Sequence, residues 1–275
     1  MTSLLTIDLK EGLYQQRKYL VLVVIISLFF GITSYVDLAL QKTTAVFSVA
    51  DLFVALFEGV QDYSQLAEHG SSFPFSWFLM MFLLSYITLW YPYKDIYGFG
   101  QHICMRLGTR WSWWLSKCLW ICCTVLIFWV LVFVSLCICS LLFTGHLSFT
   151  LSNQLPNILG WGESIQIQPQ GLVPFLILTV FSTIALCLLQ LFISLLVHPL
   201  FAFLLSAVIL TFSMFTWNVP FLFMSFAIAQ KAEVIVGYGH SFITGIFITT
   251  TVSILSAVFG GYVISRQNLL KRGLQ

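Results

Sequence analysis

The longest polar stretch of this chain in which basic residues dominate runs from Tyr91 to Lys117 and reads YPYKDIYGFGQHICMRLGTRWSWWLSK. Lys94, Arg106, Arg110 and Lys117 stand there against one acid, Asp95, with Trp111, Trp113 and Trp114 among them. Cationic groups beside indole rings hold anions and settle where lipid headgroups meet water. A positive, aromatic-flanked loop between two apolar runs belongs on the cytoplasmic face of a membrane. The chemistry on offer is electrostatic docking, not bond making.

Other candidates are sparse. Gly237-Tyr238-Gly239-His240-Ser241 sets a His beside a Ser, but sequence neighbours seldom form a dyad and the glycines mark a loop. His198 reads as the cap of a tight turn, with Pro199 opening the next helix where its missing N–H costs nothing. The seven cysteines are Cys104, Cys118, Cys122, Cys123, Cys137, Cys139 and Cys187, with no CxxC pair and no Cys/His zinc spacing. They read as small buried hydrophobes, so neither a disulfide nor a metal is expected. The sequence holds no HExxH, paired-Glu or GxSxG motif, and no GxxxxGK phosphate loop. No catalytic residue, metal or cofactor is therefore assigned to this chain.

The elements that must position the polar stretch are set by composition. Of the 275 residues, 59% are hydrophobic and 8% charged, where a soluble domain carries roughly 25% charged residues. No soluble fold hides that much apolar surface, and lipid must be the main solvent. The basic residues lie in short juxtamembrane pieces, which gives no footing for nucleic acid. The apolar runs lack Asp, Glu, Lys and Arg in their central parts, which argues against an ion-coupled carrier.

The fold expected is an all-α integral membrane protein with six transmembrane helices. Residues 2–18 read as an interfacial helix, with Leu5, Leu9 and Leu13 on one face. Spans are expected at 19–40, 73–91, 112–143, 172–197, 199–217 and 241–264. Between the first two, Val46, Val49, Phe53, Leu56 and Val60 have helical spacing, which predicts a short outer helix with its acids facing water. The stretch 92–111 is the cytoplasmic loop. FLFMSFAIA, residues 221–229, is too short to cross and reads as part of a re-entrant outer segment, 218–240. The leader, the loop and the tail hold ten of the twelve Lys and Arg, all but Lys42 and Lys231. Positive-inside then puts both termini in the cytoplasm. The leader carries Asp8, Lys10, Glu11, Arg17 and Lys18, and no small-residue cleavage site comes after the apolar stretch, so it does not read as a cleaved signal.

This layout, together with Arg106-Leu-Gly-Thr-Arg110-Trp-Ser-Trp-Trp-Leu-Ser-Lys117 before the third span, resembles ABC-2-type transporter permeases. The local stretch resembles Gram-positive members tied to peptide or bacteriocin export or immunity. The resemblance implies a bacterial cell-membrane exporter subunit that is not itself an enzyme. Its partners would be cytoplasmic ABC ATPase subunits, which bind the ATP and Mg, and a second permease copy or paralogue. Lys94, Asp95, Tyr97, Gln101, His102 and Arg106 would form the ATPase-coupling loop. Arg110, Trp111, Trp113, Trp114 and Lys117 would anchor the start of the third span at the membrane interface. The cargo would be hydrophobic or amphipathic, a peptide or a lipid-like molecule. The alternative is a membrane assembly or immunity protein that acts by binding, without an ATPase.

Overall fold

Apolar runs this long have one way to satisfy their backbone in lipid, which is to close every N–H and C=O within a helix. The computed structural model describes residues 2–40, 47–59, 74–96, 110–159, 161, 167–216 and 222–266. They form α1 (Thr2–Leu40), α2 (Val49–Leu56), α3 (Phe75–Ile96), α4 (Arg110–Thr144), α5 (Leu155–Ile158), α6 (Leu172–Leu196), α7 (Pro199–Phe215), α8 (Glu233–Val236) and α9 (Phe242–Arg266). No strand occurs among the described residues; Ala232 and His240 make an isolated bridge. Five helices are long and apolar enough to cross a membrane: α1 from Asp8, α3 to Asp95, α4, α6 and α9. The chain is thus a multi-pass, all-helical membrane protein. α7 is apolar but has 17 residues.

α1 corrects one expectation. Residues 2–18 do not form a separate interfacial helix but continue into the first span as one helix of 39 residues, about 58 Å at 1.5 Å per residue. Asp8, Gly12, Gln16, Val23, Ser27, Phe30, Gly31 and Leu38 are all buried, and their three- and four-residue spacing makes one stripe along the whole helix. The buried side of the first turns is therefore the polar and small one, because its partners are protein rather than acyl chains. Gly12 sits against Trp120, where a Cβ would fall 2.2 Å from the indole nitrogen, and Gly31 against Cys139. α1 and α4 consequently run parallel, while Gln16 Nε2 donating to Ile87 O at 2.7 Å sets α3 antiparallel to both.

α2 exists over Val49–Leu56 as the spacing predicts, but Asp51 does not face water; Val46, Val60, Asp62 and Glu68 lie outside the described residues. Asp51 is fully buried. Its carboxylate accepts from the Ser48 and Ser152 backbone N–H groups, each at 2.9 Å, and Ser48 Oγ caps Asp51 N in return. Burial pushes the Asp51 carboxyl above its usual range, against the pull of those donors. Glu58 accepts from Trp161 Nε1 at 3.0 Å. The strong apolar neighbours of α2 drew it under the loops, and the two carboxylates survive there only by taking N–H partners.

Residues 222–241 belong to the same end of the bundle. They form 3-10 turns at Phe223–Ala227 and Ala229–Lys231, with α8 next in the chain. Ala229 N donates to Phe57 O and Trp77 Nε1 to Ala227 O, both at 2.8 Å. Lys231, fully buried, sends Nζ to Ser213 O, Met214 O and Thr216 O at 2.7–2.9 Å. A cation there satisfies the carbonyls that the end of α7 leaves open. Gly239, at φ +103, lets the backbone approach Lys231 O, which a Cβ would meet at 2.5 Å. His198 caps α7 with its ring accepting from Leu200 N, as the His-Pro pair implies.

Helix contacts inside the bundle are polar as well as apolar. Gln190 accepts from the Ser85 and Ser206 hydroxyls and donates to Ser85 O, tying α6 to α3 and α7. Trp129 Nε1 donates to Thr183 Oγ1 at 3.0 Å and joins α4 to α6. α9 reaches α4 through glycine: a Cβ on Gly260 would lie 2.0 Å from Trp114, and one on Gly261 2.0 Å from Trp111.

Candidate functional site

At the end of the bundle where α3 stops at Ile96 and α4 begins at Arg110, three helices meet on one ammonium group. Lys117 lies two turns into α4 and is 0% exposed. Its Nζ stands 2.6 Å from Asp8 Oδ1 of α1 and 2.7 Å from Asp95 Oδ2 of α3. The same nitrogen lies over two ring faces, 4.7 Å from the Tyr91 centroid and 5.3 Å from that of Trp113. A buried charge is tolerable only with this degree of pairing.

Each carboxylate has further donors. Tyr91 Oη donates to Asp8 Oδ1 at 3.0 Å and Ser116 Oγ to Asp8 Oδ2 at 2.6 Å. Trp113 Nε1 donates to Asp95 Oδ2 at 3.0 Å. The local sequence explains the convergence. Tyr91 and Asp95 are one turn apart on α3, as Trp113 and Lys117 are on α4, so each pair shares a helix face. Asp8 arrives from α1 on the stripe that also carries Gly12 and Gln16.

Two carboxylates and one ammonium leave the cluster with a formal charge of −1. The hydroxyls it holds, those of Tyr91 and Ser116, are buried and spent on Asp8, and no group of three or more His, Cys, Asp or Glu among the described residues is placed to hold a metal. What the arrangement can do is mechanical. It joins the two helix ends that flank residues 97–109 to each other and to α1, through bonds stronger than neutral ones.

The interface anchors separate into two kinds. Trp111 keeps a large exposed surface. Trp113, Trp114 and Lys117 are buried inside the protein instead of at lipid; Trp114 Nε1 donates to Ala257 O of α9 at 2.7 Å. Their rings and charge found partners on α1, α3 and α9 that local sequence does not display. Arg110 is half-buried at the start of α4. Of the coupling set, Lys94 is exposed at the end of α3 and Asp95 turns inward to Lys117. Tyr97, Gln101, His102 and Arg106 lie outside the described residues. Asp8, Tyr91 and Ser116 join the site without standing out in the sequence. The usable signal is Asp8, Gly12 and Gln16 at four-residue steps, in phase with the buried stripe of the first span.

No family model matches this chain, and neither a curated protein nor a solved structure matches it.

Proposed function

We propose that this chain is the membrane-spanning subunit of an ABC-2-type exporter. It crosses the bilayer six times, α7 included, with both termini in the cytoplasm, and a separate ATPase seats on the 97–109 segment. The observation that carries the reading is the Asp8–Lys117–Asp95 clamp. A loop that receives force from a partner must hand it to the spans without its own base yielding. Here both flanking helix ends are locked to each other and to the longest helix of the bundle. Coupling then works as rigid-body displacement of α1, α3 and α4 together when the ATPases close on ATP. α7 supports the six-span count, since its 17 residues sit at the lower limit for a crossing, roughly 17–25 residues. The cargo is hydrophobic or amphipathic, consistent with an apolar bundle interior softened by hydroxyls and buried glutamine amides such as Gln190.

The test is affinity purification of the full chain from its native membrane, with wild type, Arg106→Glu and Lys117→Met at matched levels. A nucleotide-hydrolysing partner should co-purify with wild type and be lost with Arg106→Glu. With Lys117→Met it should still bind while cargo-stimulated hydrolysis falls. A chain that functions in its membrane with no ATPase bound, or one whose 97–109 segment is labelled from outside intact cells, would overturn the reading.

A further inference from the structure

Beside the clamp, on the side away from α4, α1 and α3 stand apart around a cleft of about 430 Å³. Its walls are Gln15, Gln16 and Tyr19 from α1, and Tyr86, Ile87, Trp90, Tyr91 and Lys94 from α3. Two of its buried polar atoms make no well-formed hydrogen bond among the described residues. Gln16 is 3% exposed; its Nε2 is spent on Ile87 O and its Oε1 accepts nothing. The amide cannot be turned over, because that would set two acceptors against each other. Trp90 Nε1 approaches the Tyr86 hydroxyl but outside good hydrogen-bond geometry. Buried polar atoms left open at a cleft cost free energy that a ligand can recover.

The cleft thus asks for two things at once. Lys94, exposed at its rim, and the Trp90 N–H offer a cation and a donor, which suit a phosphate. Gln16 Oε1 offers an acceptor deeper in the wall, which suits a hydroxyl on the same headgroup. The Asp8 and Asp95 carboxylates nearby are already occupied by Lys117 and do not compete for that hydroxyl. The surface beyond the cleft argues for lipid. On α1, Gln15, Tyr19, Leu22 and Phe29 share one face at i, i+4, i+7 and i+14. Leu22 and Phe29 are exposed, so the polar cleft opens onto an apolar track running into the bilayer. Lys18, also exposed, adds positive charge at the headgroup level.

We propose that the α1–α3 cleft binds the headgroup of an anionic, hydroxyl-bearing membrane phospholipid, phosphate on Lys94 and Trp90, hydroxyl on Gln16, acyl chains along Leu22 and Phe29. This holds whether or not an ATPase partner exists, so the exporter reading can fail without it.

The experiment is native mass spectrometry of the full chain in detergent, titrated with phosphatidylglycerol or phosphatidylcholine. Wild type should hold one phosphatidylglycerol about tenfold more tightly than phosphatidylcholine, the size of one charge-assisted bond. Lys94→Gln should lose that preference. Trp90→Phe, which keeps an aromatic ring but removes the N–H with the five-membered half of the indole, should weaken it several-fold, about three- to fivefold. It also decides the matter if Lys94→Gln proves unstable by thermal unfolding. Arg266→Gln, at the end of α9, should bind as wild type does. Equal affinity for the two lipids would overturn the proposal. So would an equal loss with Arg266→Gln, which would mean diffuse surface attraction. Displacement of the lipid by glycerol 3-phosphate at equal concentration would make the site one for a soluble phosphate and would overturn it too.

Discussion

Replacing Lys117 by Met tests the clamp most directly. Met matches the length of the lysine stem, so the packing against Tyr91 and Trp113 is largely kept while the charge goes. The two carboxylates that remain have side chains only 11% and 15% exposed. Removing one partner of a buried ion pair costs about 3–5 kcal/mol, because the other charge is left unpaired. Asp8 keeps Tyr91 and Ser116, and Asp95 keeps Trp113, so the loss sits toward the lower part of that range. Asp8→Asn should cost less, about 1–3 kcal/mol, since Lys117 still has Asp95. The diagnostic is the combination: Asp8→Asn with Lys117→Met should be more stable than Lys117→Met alone, because a stranded charge is gone. Unfolding by SDS in mixed micelles reads all of this at two salt concentrations. Little salt dependence is expected for a pair removed from solvent. A loss below about 1 kcal/mol for Lys117→Met, or strictly additive double variants, would refute the clamp.

Packing and burial set three further outcomes. Gly260→Ala should cost about 1–3 kcal/mol, since its Cβ would meet the buried Trp114 ring at 2.0 Å. Gly145→Ala should cost only the strain of φ +70, as no described residue lies within 4 Å of its Cβ; paired thermal unfolding of the two variants checks the order. Lys231→Met strands three carbonyls at the end of α7 and should loosen the 213–231 region, read as faster hydrogen exchange there than in α6. Burial pushes the Glu58 carboxyl up to about 7, against the pull of the Trp161 N–H. A carboxyl raised on folding favours the protonated form, so stability is full below the ordinary value of 4.5 and declines as pH rises toward 7. Glu58→Gln should flatten that decline; an unchanged pH profile would show that Glu58 is solvated.

How much is legible varies with the kind of residue. α6, α7 and α9 begin within a residue of the runs that predict them, because twenty or so apolar residues in lipid must close into helix wherever they lie. The Pro199 turn and the His198 cap are readable for the same local reason. Asp95 stands out in the sequence as the lone acid among cations, although the partner it serves is not the one expected.

What the sequence determined by itself is the solvent, the helical class and the place of most of the long helices, since these depend on composition and on neighbours within one helical turn. Tertiary structure decided which side of each helix is inside. An amphipathic pattern at residues 2–18 does not say whether the apolar or the polar stripe meets protein, and here the polar one does, because Lys117 waits 109 residues away. Asp51 in α2 and Trp113 and Trp114 in α4 turned inward for the same reason. A donor or acceptor supplied by a distant helix or loop outweighs the local preference for water or headgroups, and spacing along one chain holds no record of it.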